Sequence, residues 1–241
     1  MRIIYAGSYK RMSEIAAGII VAQVTMKPDA VLGLATGSTP LGVYSRMIEQ
    51  YHNDQADFSE ATVFNLDEYC GLAPEAEQSY FYFMKKNLFS KVNFPRERLF
   101  IPDGLAADLY DVCTSYDAAI TSHGGIDLQL LGIGMNGHIG FNEPGTEFIP
   151  ETHLVDLSES TIQANSRFFQ NKSEVPVQAI TMGIRSIMQA RKILLIVSGE
   201  EKAKIVRQAI FGPISPEVPA SILQLHGDLT VVGDGPALAR L

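Results

Sequence analysis

The sequence predicts an α/β fold built around a mainly parallel sheet. Three observations lead there: apolar runs that are continuous rather than alternating, longer amphipathic stretches between them, and 241 residues with 46% apolar content. A chain of that size can bury one sizeable core. Val31–Ala35, Thr62–Leu66, Asp127–Ile133 and Lys192–Val197 are the continuous runs; they suit strands covered by helices on both faces. Tyr9–Met26, Leu41–Tyr51, Ser79–Ser90, Ala106–His123 and Glu200–Ile210 read as the intervening helices. Strand and helix repeating in this way argue for right-handed parallel crossovers. Two late runs, Ser221–Leu225 and Leu229–Val232, are separated only by His226-Gly227-Asp228. So short a connection permits a hairpin, and with it an antiparallel edge. Pro144 to Gln178 is the least regular stretch, as expected of a lid or binding loop. With no internal repeat and no clear linker, residues 1–241 read as one domain.

Composition narrows the partners. The formal net charge of −8 argues against a nucleic-acid surface or an acidic membrane. An anionic substrate must then be captured by local donors rather than by a basic patch. Cys70 and Cys113 lack metal or disulfide spacing, which suits a reducing compartment. Cys70 reads either as a reactive thiol beside a candidate catalytic stretch or as a small buried side chain. No apolar signal core follows the start of the chain, and the run Ile15–Ala22 falls short of the ~20 residues that span a bilayer. The expected location is the cytoplasm.

In open parallel sheets ligands bind beyond the carboxyl ends of the strands, so the residues that follow each strand are the candidates. After the first run comes Ala35-Thr36-Gly37-Ser38-Thr39-Pro40. Its hydroxyls, its glycine and the N-terminus of the next helix make a candidate phosphate cradle; an ordinary strand–helix turn with a Ser/Thr cap fits the same residues. After the second come Asp67 and Glu68, either a general base whose pKa burial would raise or solvated loop acids or a helix cap. After the third, Gly132, Gly134 and Gly137 let backbone approach a ligand, and Asn136, His138 and Glu143 bring an amide, an imidazole and a carboxylate into one loop. Histidine suits proton transfer near neutral pH, and a neighbouring glutamate can orient its ring. No second His or Cys sits at ligand spacing, so no metal site is expected. Arg167 and Lys202 are candidate phosphate contacts; Lys202 falls in the first turn of a helix, where the dipole disfavours a cation unless an anion is near.

Together these segments resemble the glucosamine-6-phosphate deaminase family. The resemblance runs from the first strand nearly to the C-terminus and rests on Thr36–Pro40, Phe64–Tyr69, Gly137–Pro144, Asn165–Phe169 and Leu223–His226. It implies an open three-layer α/β sandwich with a lid-like loop region. The implied reaction converts glucosamine 6-phosphate and water to fructose 6-phosphate and ammonia without metal or organic cofactor. By the same resemblance His138 opens the sugar ring with Glu143 supporting it, and Asp67 moves the proton from C2 to C1. Thr36, Gly37, Ser38, Thr39, Arg167 and Lys202 hold the phosphate.

Two departures refine this expectation. Many family members carry Asp where this chain has Asn136; an amide cannot accept a proton, so Asn136 is expected to orient His138 or a sugar hydroxyl. Members activated by N-acetylglucosamine 6-phosphate carry basic residues where this chain has His153 and Val155. No allosteric activation, and a monomer or small homo-oligomer, are therefore expected. One alternative stays open and two are disfavoured. Galactosamine-6-phosphate deamination or isomerisation differs by one hydroxyl's orientation, which no residue here spells out. A lactonase of similar fold lacks the Phe141–Pro144 continuation, and a sugar-phosphate sensor needs a DNA-binding module before the first strand, at residue 2.

Overall fold

A computed structural model describes residues 1–166, 169, 171 and 174–241 of the chain. β1 (Arg2–Gly7), β2 (Val31–Leu34), β3 (Thr62–Asn65), β5 (Leu99–Phe100), β6 (Leu128–Leu131), β9 (Lys192–Val197) and β10 (Leu229–Asp234) form a seven-stranded sheet. Its order is β1-β10-β9-β6-β2-β3-β5, and every adjacent pair is parallel. The continuous apolar runs are explained by two-sided burial. Leu32, Leu34, Val63, Leu128, Leu130, Leu194 and Ile196 face one core, which they share with α1 (Tyr9–Met26) and α2 (Leu41–His52). Val31, Phe64, Leu131, Ile193, Leu195 and Val197 face the other. Covering that second face are α4 (Leu109–Ser122), α6 (Ile184–Met188) and α7 (Ala203–Phe211). Helices on both faces of a parallel sheet make the three-layer sandwich.

Helix boundaries follow local chemistry. Ser8 caps α1, its side chain accepting from the Arg11 N–H, and Asp108 caps α4, accepting from Tyr110 and Asp111. The segment expected as one helix from Ser79 to Ser90 divides into α3 (Tyr80–Met84) and a wider turn over Lys85–Phe89. Ser79 caps it.

The expected hairpin at residues 221–232 is not formed. Ser221–Leu225 belongs to a 3-10 helix, Pro219–Leu225, and Leu229–Asp234 is β10, an interior parallel strand between β1 and β9. A short apolar run does not distinguish a strand from a tight helical turn. Here the turn wins because its polar groups are satisfied in that form: the Ser221 hydroxyl bonds the Ser215 N–H and carbonyl nearby, and the Ala220 N–H donates to Gly137 O of the histidine loop. His226 locks the corner, with Nε2 2.8 Å from Ala190 O while Nδ1 accepts from the Asp228 N–H.

Antiparallel pairing occurs elsewhere, in a small sheet ordered β4-β8-β7: β4 (Asp67–Tyr69), β8 (Gln178–Thr181) and β7 (His153–Asp156). Only Leu66 separates β3 from β4, and it bonds both sheets: its N–H reaches Leu34 O and its carbonyl accepts from Met182. The stretch that looked irregular thus supplies β7 and α5 (Glu159–Asn165). This small sheet carries its own apolar cluster of Tyr69, Phe141, Leu157 and Ala179, flanked by Tyr80 and Phe169.

Candidate active site

Four neighbouring strands of the large sheet, β9, β6, β2 and β3, all parallel, end on one side of the molecule. Lys202, the loop Ile133–Glu143, the turn Thr36–Thr39 and Asp67 follow their carboxyl ends in that order. The sheet order therefore assembles residues that are far apart in the chain. Lys202, in the 3-10 turn Glu200–Lys202 that leads into α7, donates from Nζ to Ile133 O at 2.7 Å. That bond ties the end of β9 to the loop after β6, and the carbonyl gives the cation a partner that its sequence position did not suggest. Thr36 lies beside Tyr80, whose hydroxyl is 3.4 Å from that of Tyr69 and whose ring stacks on Phe141.

The loop after β6 is shaped around its histidine. A Cβ on Gly134 would lie 2.3 Å from the His138 ring, so a side chain there would displace the imidazole. His138 Nδ1 is 3.3 Å from Glu143 Oε1, an ion-pair contact rather than an aligned hydrogen bond. Asn136 acts on the carboxylate, not on the ring: Nδ2 donates to Glu143 Oε2 at 2.6 Å, while Oδ1 accepts from the His138 backbone N–H. Thr161 and Ser158, from α5, complete the shell around Glu143. Burial alone would raise the pKa of Glu143. The close approach of His138, then the bonds from Thr161 and Asn136, outweigh it and hold the carboxyl below its usual range.

Asp67 has the opposite environment. It is 5% exposed, and burial, with the Glu68 charge beside it, pushes its pKa well up. Its Oδ1 has no hydrogen-bond partner among the described residues. Glu68 is itself a helix cap, accepting from the backbone N–H groups of Tyr69, Tyr80 and Phe81. The two acids expected at this strand end thus divide between the two readings, one buried and unsatisfied, the other structural. Asp67 also meets the histidine loop: a Cβ on Gly140 would lie 3.5 Å from Asp67 Oδ2. Two carboxylates with pKa values pushed apart are the arrangement that separates acid–base roles.

In the turn after β2, Gly37 has φ +103, open to glycine at no steric cost. Tyr9 fastens this turn from α1, its hydroxyl donating to Thr39 O at 3.1 Å and accepting from the Gly42 N–H. Arg167 lies outside the described residues. Behind the loop, a cavity of about 250 Å³ is lined in part by Glu143, Glu147, Phe148, His153, Val155 and Ile184. It touches Glu143 but neither Asp67 nor His138. Both cysteines are free, and burial first of all raises each thiol to about 11. This favours the inert reading of Cys70.

The model of the family described as glucosamine-6-phosphate isomerases/6-phosphogluconolactonase matches residues 8–231. The chain belongs to that family. Within it, a glucosamine-6-phosphate deaminase of Lachnoclostridium phytofermentans is 59% identical over 232 residues, 96% of this chain and 98% of that one. One from Clostridioides difficile is 51% identical, covering 100% and 97%. A solved structure of a monomeric glucosamine-6-phosphate deaminase superposes with TM-score 0.97 at 45% identity over the whole of both chains. A 6-phosphogluconolactonase from Trypanosoma cruzi shares the fold, with TM-score 0.78 at 21% identity over 100% of this chain and 96% of that one.

Sequence reasoning missed Tyr80, Ser158 and Thr161. Tyr80 was one aromatic among several in a helical stretch, and nothing local marked it. Ser158 and Thr161 lie in the stretch that looked least regular, and their contact with Glu143 spans 15 and 18 residues.

Proposed function

We infer that the chain converts glucosamine 6-phosphate and water to fructose 6-phosphate and ammonia. The observation that carries this reading is a pair of differently tuned carboxylates on one rim of the sheet, at strand ends separated only by β2. Glu143 is held ionised beside His138, and Asp67 is raised toward the range of a working base. A carboxylate near its pKa at operating pH can both take and return a proton.

The chemistry follows from those positions. The sugar arrives as a closed ring, and His138 moves the anomeric hydroxyl proton to the ring oxygen. Glu143, 3.3 Å from Nδ1, orients the ring so that Nε2 faces the sugar. Asp67 then takes the C2 proton and returns it to C1, while a proton of the amine passes to O1, converting the aldose amine to a ketose imine. Water adds to the imine carbon and ammonia leaves. Thr36–Thr39, Lys202 and Arg167 hold the phosphate, which does not react but sets the sugar's register over these groups. Asn136 serves by fixing Glu143. The residues alone perform each step, so no cofactor is invoked.

The other expectations are carried as part of this reading. Residues 1–241 act as one domain, in the cytoplasm, where the free thiols Cys70 and Cys113 stay reduced. A monomer is supported by the likeness to a monomeric deaminase. Absence of activation by an acetylated sugar phosphate is supported by Glu147, His153 and Val155 lining the cavity behind the loop, a poor lining for an anion. Incubation with glucosamine 6-phosphate, with ammonia and fructose 6-phosphate measured together, tests the assignment; equal yields of both are expected. Turnover of the galacto epimer instead would move the substrate.

A further inference from the structure

Glu143 is gripped from two directions. Asn136 and His138 reach it from its own loop. From α5, Thr161 Oγ1 donates to Oε1, and Ser158 Oγ lies 3.2 Å from Oε2. Ser158 is the N-cap of α5, accepting from the Thr161 N–H, and its hydroxyl is also 3.0 Å from Thr161 Oγ1. A hydroxyl has one proton to give. Ser158 therefore donates either to Glu143 or to Thr161, and α5 supplies the carboxylate with a hydroxyl proton in both cases. Thr161 is 4% exposed, so water does not readily take its place.

The shared atom is the important one. Oε1 accepts from Thr161 and is also the oxygen 3.3 Å from His138 Nδ1. Rotating the carboxylate would break both contacts together. We propose that Thr161, seconded by Ser158, is a positioning residue for ring opening: from α5 it pins Glu143 Oε1 and so fixes the orientation of the His138 ring. This rests on the assignment of His138 and Glu143 to ring opening. Its consequence is that the acid–base pair is complete only while α5 is docked on the loop.

The test uses the full chain and two substrates. One is glucosamine 6-phosphate; the other is an analogue lacking the C4 and C5 hydroxyls, which can close neither a five- nor a six-membered ring and so bypasses ring opening. Thr161→Val keeps the shape and removes the donor, and Thr161→Ser restores it. With Thr161→Val, kcat for glucosamine 6-phosphate should fall about tenfold, the worth of one hydrogen bond to a charged group. KM and C2 proton exchange on the analogue should hold, and Thr161→Ser should recover most of the loss. Wild-type kcat in Thr161→Val, or an equal loss on both substrates, overturns the proposal. If Thr161→Val proves unstable, Thr161→Ala set against Thr161→Ser gives the same comparison, since it too removes the donor to Oε1. His138→Gln is run alongside. If it leaves ring opening intact, the assignment of the pair falls and the proposal with it; if it slows ring opening while Thr161→Val does not, only the role of α5 falls.

Discussion

Asp67 sits where a buried charge is costly, and that cost has two measurable sides. Its folded pKa is raised, so the folded state binds the proton more tightly than the unfolded chain and is destabilised once pH exceeds the unfolded value. Asp67→Asn should therefore raise the melting temperature at pH 7, by about 2–4 °C for each kcal/mol recovered in a chain of this size. The same variant should abolish C2 proton exchange while inorganic phosphate still binds; retained exchange would remove Asp67 from its role. Glu68 tunes it. As pH falls through the raised value Asp67 takes up a proton and exchange fades, so Glu68→Gln, which removes the neighbouring charge, should shift that acidic limb to lower pH. A limb that stays in place would mean that burial alone sets the value. Asp67 and His138 stood out in the sequence because each follows an apolar strand. The split between Asp67 and Glu68 did not, because both are acids at one strand end and only the packing of α3 on Glu68 separates them.

At the scale of elements, Asp127 joins three of them at the opposite ends of the strands. It accepts from Lys27 Nζ at 2.6 Å, from the Val31 N–H at 2.8 Å and from Arg191 at 2.7 Å. Burial opposes its ionisation, but the Lys27 and Val31 bonds and the two cations hold its pKa below the usual range. A depressed folded pKa gives stability that is present above the unfolded value and lost as pH falls through the folded one. Asp127→Asn should lower stability at pH 7 by about 1–2 kcal/mol, a modest figure because both cations reach solvent. In denaturant unfolding the deficit should narrow below pH 4; a deficit constant with pH would point to packing. Helix α1 and strand β9 were legible to the residue, since an 18-residue helical stretch with a serine cap and a continuous apolar run bounded by polar residues each leave little choice locally. Residues 221–225 left the choice open, and the turn around Ser221 decided against a strand.

For the whole molecule, saturation by glucosamine 6-phosphate should be hyperbolic, with N-acetylglucosamine 6-phosphate leaving the curve unchanged. A sigmoidal curve made hyperbolic by the acetylated sugar would end the non-allosteric reading. Light scattering should return the mass of one chain, 26.4 kDa.

The sequence by itself determined the α/β class, the parallel central strands and the strand ends that carry His138, Asp67 and the Thr36–Thr39 turn. Those features are written in local periods and in residues adjacent along the chain. Only the tertiary structure decided that β10 lies inside the sheet, that β4 leaves it after one residue to start a second sheet, and that α5 reaches Glu143. Each of these depends on contacts between segments distant in the chain, where burial and hydrogen-bond satisfaction choose among partners that local sequence leaves equivalent.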